Sequence, residues 1–146
     1  MHPNLLTSDD DIRALLERTK RIAVLGIKTE AQADQPSFSV PKYLVDAGFD
    51  VIPVPVYYPD VTTILGRPVF RSLMAIEEEV DLVDVFRRSA DVRKHLPDML
   101  AKHPHAVWLQ LGIRDDAVAE ELAEAGIKVV QDKCILVEHR RLCARR

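Results

Sequence analysis

The chain has 146 residues, 47% hydrophobic and 29% charged, a balance typical of one folded domain and not of a disordered chain. With 20 Lys and Arg against 23 Asp and Glu, the net charge of −3 argues against a broad nucleic-acid-binding surface. Its 2 cysteines exclude a disulfide framework, and no apolar run approaches the roughly 20 residues that span a bilayer. The N-terminal sequence MHPNLLTSDDD has no secretory signal pattern. We therefore expect one cytoplasmic domain over residues 1–146, without a nucleic-acid or membrane partner.

Helical and strand-like segments alternate along the chain. Short apolar segments such as IAVLGI and AVWLQL predict strands over residues 21–27, 50–56, 81–86, 106–111 and 128–132. Helical periodicity and capping residues predict a helix after Ser8, helices over residues 40–47, 72–79, 90–102 and 115–125, and a short helix after Cys134. Residues 57–67 are expected to form a loop.

Strands that are apolar throughout and alternate with helices are typical of a parallel sheet covered on both faces. We therefore predict an α/β fold, a doubly wound, mostly parallel sheet of five strands with helices on both faces and right-handed crossovers. Ligands of such sheets bind beyond the carboxyl ends of the strands, where the strand order reverses. The residues that follow each strand are thus the candidates for a site.

Gly26 ends the first predicted strand, where a dinucleotide-binding loop has its first glycine, but the later glycines of that motif are missing. The next helix offers unpaired N–H groups and a positive dipole end beside Ser37 and Ser39. Two interpretations remain open here. Either this segment binds a phosphate, or Gly26 forms a tight turn and the serines cap the helix.

The end of the second strand argues against a nicotinamide cofactor. Pro53, Val54 and Pro55 occupy the place where a carboxylate usually binds the ribose hydroxyls, and no carboxylate follows before Asp60. The missing carboxylate is evidence against an NAD(P)-dependent oxidoreductase.

Arg87 and Arg88 follow the third strand, and their planar guanidinium groups match the oxygens of a phosphate. The alternative is a solvated pair that balances Asp84 or Asp91. The histidines form no cluster with metal-ligand spacing, so we predict no metal site. No segment combines a nucleophile, a base and an oxyanion donor, which favours a ligand-binding module over an enzyme and leaves no candidate catalytic residue.

Four ordered segments resemble a known family. They are the run IAVLGIKTEAQADQPSFSVPKYLVDAGFDVIPVPV, then VDLVDVFRRS, VWLQLGIR and VVQDKC. Together they resemble the stand-alone bacterial CoA-binding proteins, which are similar to the CoA-binding domain of the succinyl-CoA synthetase alpha subunit. The likeness covers nearly the whole chain. The family commonly has Asn-Pro where this chain has Pro55-Val56, and small residues where it has Lys28 and Glu30.

The resemblance implies a Rossmann-like domain that binds coenzyme A or an acyl-CoA and has no ligase activity of its own. It implies a binding site at the strand ends made of Gly26, Ile27, Lys28, Thr29, Ser37, Ser39, Val40, Pro53, Val54, Phe86, Arg87, Arg88, Ser89, Gln110 and Gly112. The alternatives that stay open are an NAD(P)-binding oxidoreductase and a CoA-responsive regulatory or interaction module. The sequence identifies no protein partner and does not define the acyl group.

Overall fold

A five-stranded parallel sheet forms the centre of the protein. The structure is a computed structural model, and it describes residues 2–143. The strands in chain order are β1 (Arg21–Leu25), β2 (Asp50–Val54), β3 (Thr63–Ile64), β4 (Arg67–Pro68), β5 (Leu82–Val85), β6 (Ala106–Leu109) and β7 (Lys128–Val130). The central sheet has the order β2-β1-β5-β6-β7, and every pair in it is parallel. This confirms the predicted five-stranded sheet, and the strand order reverses between β1 and β5.

Helices cover both faces of the sheet, as predicted. They are α1 (Asp9–Arg18), α2 (Pro36–Asp46), α3 (Ser89–Val92), α4 (Leu96–Lys102), α5 (Asp116–Glu124) and α6 (Ile135–Leu142), with short 3-10 helices at Glu30–Gln32 and Arg93–His95. The first two helices and α6 pack on one face, and α3, α4 and α5 pack on the other. Within residues 2–143, no helix is both long and apolar enough to cross a bilayer.

Local chemistry explains where several helices begin. Ser8 caps α1, as predicted, by accepting a hydrogen bond from the Asp11 N–H. α2 starts at Pro36, four residues earlier than predicted, because proline suits the first turn, where its missing N–H costs no hydrogen bond. The predicted helix over residues 90–102 is divided into α3, a 3-10 turn and α4, and Pro97 lies in the first turn of α4.

The predicted helix over residues 72–79 is wrong, because this segment consists of turns and bends. Ser72 does accept a hydrogen bond from the Ala75 N–H, but the turn is not continued. The N–H groups of Leu73 and Met74 donate instead to the carboxylate of Asp98 on α4. A long-range carboxylate thus holds this backbone, and the sequence of the segment alone does not contain that information.

The predicted loop over residues 57–67 contains a small hairpin. Strands β3 and β4 pair antiparallel through a two-residue turn in which Leu65 and Gly66 have φ values of 54° and 73°. Positive φ at both central residues fits the type I′ turn that suits a hairpin. The hairpin was missed because leucine is a poor residue for such a turn, and the Leu65 N–H is held by the carboxylate of Glu30.

Asp84 is an exception in the apolar centre of the sheet. It lies on β5 in register with Val24 on β1 and Trp108 on β6, and its side chain is fully buried. Among residues 2–143, neither of its carboxylate oxygens has a hydrogen-bond partner. Burial without a partner disfavours the charged form and raises the pKa of Asp84 well above its ordinary value. The folded protein therefore holds this carboxyl in its protonated form to a higher pH than the unfolded chain.

We predict that Asp84 makes stability fall as pH rises. Above about pH 4 the unfolded chain ionises this carboxyl while the folded state keeps it protonated, so wild type loses stability relative to Asp84→Asn, by up to about 1.4 kcal/mol per pH unit. The measurement is urea unfolding of both proteins from pH 5 to pH 8. The groups that titrate in both proteins cancel in the difference. A difference that does not change with pH would contradict the prediction.

Candidate functional site

The reversal of strand order places the end of β1 between the ends of β2 and β5. The Gly26 N–H donates to the Val54 carbonyl at 2.9 Å, and the Phe86 N–H donates to the Leu25 carbonyl at 2.8 Å. Gly26 has a φ of +88°, and a Cβ placed there would lie 2.3 Å from the Phe86 carbonyl oxygen. Only glycine fits this approach. The tight-turn interpretation of Gly26 therefore holds whether or not a phosphate binds nearby.

A cavity of about 500 Å³ opens at this point, beyond the carboxyl ends of the strands. The turn after β1, the start of α2, the loop after β2 and the segments after β5 and β6 contribute its walls. The lining residues are Gly26, Ile27, Lys28, Gln35, Pro36, Ser37, Tyr57, Tyr58, Phe86, Arg87, Arg88, Ser89, Gly112 and Ile113. Its position is the one expected for a ligand site in a doubly wound sheet.

The charge of this cavity is opposite to that of the whole protein. Lys28, Arg87 and Arg88 contribute three cations, and no residue from 2–143 that lines the cavity is Asp or Glu. The cavity also receives the N-terminal end of α2, where backbone N–H groups and the helix dipole favour an anion. These features together suit a ligand with several negative charges.

The two arginines differ in how they are held. The side chain of Arg87 is 11% exposed, whereas that of Arg88 is 83% exposed. The Arg87 Nε donates to His95 Nε2 at 3.1 Å, and its Nη1 donates to the Tyr57 hydroxyl at 3.3 Å. Arg87 is therefore fixed in the cavity wall, and Arg88 extends into solvent.

Asp91 lies behind the two arginines on α3 and anchors them. Its carboxylate is 2.9 Å from Arg88, 3.0 Å from Lys94 and 3.8 Å from Arg87, with its own side chain 5% exposed. The hydrogen bond from Lys94, and next that from Arg88, lower the pKa of Asp91 to about 2. The predicted alternative, an arginine pair that balances Asp91, thus describes Arg88 well and Arg87 only in part. Asp84 is buried elsewhere and balances neither.

The cavity brings together nine of the residues that the sequence singles out. These are Gly26, Ile27, Lys28, Ser37, Phe86, Arg87, Arg88, Ser89 and Gly112. The other six lie around it: Thr29 caps a 3-10 turn, Ser39 is exposed on α2, Val40, Pro53 and Val54 are buried, and the buried Gln110 accepts a hydrogen bond from the Ile135 N–H. The expectation that Ser37 or Ser39 caps the helix is wrong, because α2 starts at Pro36 and both serines lie inside it, after the N-cap residue Gln35.

Sequence reasoning missed two tyrosines and a histidine. Tyr57 and Tyr58 line the cavity from the loop after β2, and His95 supports Arg87 from behind. Burial, and next the charge of Arg87, lower the pKa of His95, so it accepts the Arg87 hydrogen bond as a neutral ring. The position of Tyr57 just past a strand end was a usable signal; nothing local to His95 pointed to Arg87.

A second cavity of about 470 Å³ lies at the opposite end of the sheet. Its lining includes Glu77, Glu78, Glu79 and Asp81. Arg18 and Lys102 also line it, so carboxylates outnumber Lys and Arg by four to two and the excess charge is negative. This end of a parallel sheet is also not the one where ligands are expected. Across residues 2–143, no group of three His, Cys, Asp or Glu side chains is placed to hold a metal ion.

Comparison with known proteins identifies relatives over most of the chain. A family profile described as the CoA binding domain matches residues 20–140. The Uncharacterized protein YneT of Bacillus subtilis (strain 168) is 35% identical over 132 residues, which are 90% of this chain and 94% of that protein. The match spans nearly the full length of both.

Solved structures agree with the fold. Cell-free ID.343 from Thermus thermophilus matches with a TM-score of 0.85 at 41% identity, and the match covers 93% of this chain and 99% of that protein. A dinucleotide forming Acetyl-coenzyme A synthetase 1 of Ca. Korarchaeum cryptofilum has a TM-score of 0.63 at 17% identity, over 84% of this chain and 27% of its own. This second likeness is one of fold alone.

We predict that Gly26→Ala destabilises the fold more than the same substitution at a glycine that also has a positive φ but has free space around it. Gly66 is the matched control, with a φ of +73° and no heavy atom within 4 Å of a built Cβ. Gly66→Ala should cost about 1–2 kcal/mol from the left-handed conformation alone. Gly26→Ala adds the overlap with Phe86, so urea unfolding should give it the clearly larger loss. Equal losses would show that β1 and β5 do not need this close approach.

Proposed function

The chain belongs to the CoA-binding domain family, and on that premise we propose that it binds coenzyme A or an acyl-CoA in the cavity at the carboxyl ends of the parallel strands. One observation carries the proposal. In a protein with net charge −3, this cavity collects three cations and, within residues 2–143, no carboxylate. Coenzyme A has a pyrophosphate and a separate ribose phosphate, so it offers more negative charge than most nucleotides.

The groups in the cavity fit different parts of such a ligand. The turn at Gly26 and the start of α2, with Lys28 and Ser37, supply backbone donors and a cation for a pyrophosphate. Arg87 lines the same cavity from the end of β5, and the hydrogen bond from its Nε to His95 holds its guanidinium there. Because the Arg87 side chain is held before binding, it loses little conformational entropy when a phosphate arrives.

The proposed role is binding without ligase chemistry. The lining of the cavity consists of cationic, hydroxyl, amide, glycine and apolar groups, which are suited to holding a ligand. The Ser89 hydroxyl already accepts a hydrogen bond from the Arg114 N–H, which gives it a structural task. CoA as cargo or signal fits this lining as well as CoA as substrate of a partner enzyme.

CoA should bind more tightly than NAD. The cations match the additional phosphate, and the buried Pro53 and Val54 offer no carboxylate to ribose hydroxyls. Isothermal titration should show CoA as the tighter ligand, and a hundredfold excess over its dissociation constant should stabilise the native state by about 2.7 kcal/mol. With ATP and a carboxylic acid added, no acyl-CoA should form.

Tight NAD binding in the absence of CoA binding would overturn this proposal in favour of a nicotinamide-dependent function. Titration with dephospho-CoA is the internal control, because it removes only the ribose phosphate.

Arg87 and Arg88 should contribute unequally to CoA binding. A hydrogen bond to a charged group is worth roughly 1.5–3 kcal/mol, so Arg87→Ala should weaken CoA binding by about tenfold or more. Arg88→Ala should change it by about threefold or less, because that side chain is 83% exposed and paired with Asp91. Titration calorimetry at two salt concentrations measures both, with thermal melting as the check on folding. Equal losses, or a larger loss for Arg88→Ala, would place the phosphate elsewhere.

A further inference from the structure

The loop after β2 brings an exposed aromatic ring to the wall of the cavity. Tyr57 is 61% exposed, and it is the one aromatic residue among the exposed large hydrophobic residues of the range 2–143. It lines the cavity beside Tyr58, and the two rings meet edge to face at 6.4 Å between centroids. An exposed ring in a cavity wall presents an apolar face that burial by a ligand stabilises.

The backbone of this loop is held in an uncommon conformation. Tyr58 has a φ of 64°, a left-handed value that bulky residues rarely adopt. Such conformations persist only where the surrounding structure imposes them, and they cluster at ligand sites. Here Arg71 supplies the constraint.

Arg71 donates to the carbonyls of this loop with both terminal nitrogens. Its Nη1 reaches the Tyr57 carbonyl at 3.2 Å, and its Nη2 reaches those of Tyr58 at 3.0 Å and Val61 at 2.7 Å, with Pro59 at 3.4 Å. One planar guanidinium thus fixes the path of the loop, which a lysine ammonium cannot do with the same fork geometry.

Tyr57 also contacts the arginine proposed to bind phosphate. The Arg87 Cζ lies 5.6 Å from the centroid of the Tyr57 ring, and the Tyr57 hydroxyl accepts from Arg87 Nη1 at 3.3 Å. In a nucleotide, one ribose separates the phosphate from the base. A ring directly beside a phosphate-binding guanidinium is therefore placed where the base of the same nucleotide would lie.

We propose that Tyr57 stacks on the adenine base of the ligand, and that Arg71 is the positioning residue that holds Tyr57 for this contact. The inference rests on the proposed CoA binding and deepens it by assigning the base. Stacking of a base on an aromatic side chain tolerates any purine face and needs no further hydrogen-bond donor.

Three probes and two variants separate the base from the rest of the ligand. The probes are CoA, adenosine 3′,5′-bisphosphate, which keeps the base and lacks the pantetheine arm, and 4′-phosphopantetheine, which lacks the base. Tyr57→Ala should weaken the binding of CoA and of adenosine 3′,5′-bisphosphate by the same factor, about 5- to 150-fold, and leave that of phosphopantetheine within about twofold. Tyr57→Phe keeps the ring and should bind CoA within about threefold of wild type.

Controls address folding and the role of Arg71. Val137→Ala removes another exposed apolar side chain, 52% exposed on α6, and should bind all probes as wild type does. Arg71→Ala should weaken CoA as Tyr57→Ala does, and the double variant should lose no more than Tyr57→Ala alone, because both changes remove one contact. A purely structural Arg71 would instead give additive losses and weaken phosphopantetheine as well.

The outcomes distinguish the inference from the proposal beneath it. Wild type that binds no CoA overturns the proposed function and the assignment of the base with it. Wild type that binds CoA while Tyr57→Ala binds it equally well overturns the assignment alone. Equal weakening of CoA and phosphopantetheine in Tyr57→Ala also overturns it, because Tyr57 would then act on the pantetheine arm, or on the phosphate through Arg87, and not on the base.

Discussion

The approach of β1 to β5 at Gly26 is the constraint on which the site depends. The strand order reverses between these two strands, so the chain leaves β1 in one direction and β5 in the other. A crevice remains between the two departing segments, and the backbone of Gly26 and Phe86 forms its floor. These two residues lie so close together that residue 26 cannot have a Cβ atom. The glycine is therefore needed by the sheet itself, and the crevice follows from the topology.

Charge is arranged around this crevice against the trend of the whole protein. Asp91 is buried behind the cavity with a depressed pKa, so it stays ionised and attracts Arg87 and Arg88 toward the end of β5. The carboxylate holds the cations without entering the cavity lining. An acidic protein can in this way offer a local anion site, since field strength near a ligand depends on the nearest charges.

Much of this arrangement could be predicted from sequence because it is local. Apolar strands and turn residues predicted the sheet, and position after a strand made Gly26 and Arg87 candidates for a site, and both line the cavity. Two of the failures come from contacts distant in sequence. Asp98 replaces a predicted helix with turns, and Arg71 holds Tyr57 and its loop from more than ten residues away. No periodicity or spacing records which carbonyls a distant guanidinium will reach.

The orphaned carboxyl of Asp84 shows the same limit in another way. Sequence reasoning offered Asp84 as a partner of the arginine pair, yet the fold buries its side chain, and no donor among residues 2–143 meets it. A polar side chain buried without a hydrogen-bond partner conflicts with the apolar strand around it, and this conflict lowers the stability of the fold. Glu30 is the opposite case, because a residue unsuited to a phosphate loop proves to hold the Leu65 N–H of the hairpin.

Backbone amide chemical shifts measured during titration with CoA locate the ligand on the protein. We expect the largest changes on Gly26, Lys28, Ser89 and Gly112, which line the cavity between the ends of β1 and β5. Changes concentrated instead on residues 77–81, at the acidic cavity on the opposite end of the sheet, would contradict this expectation.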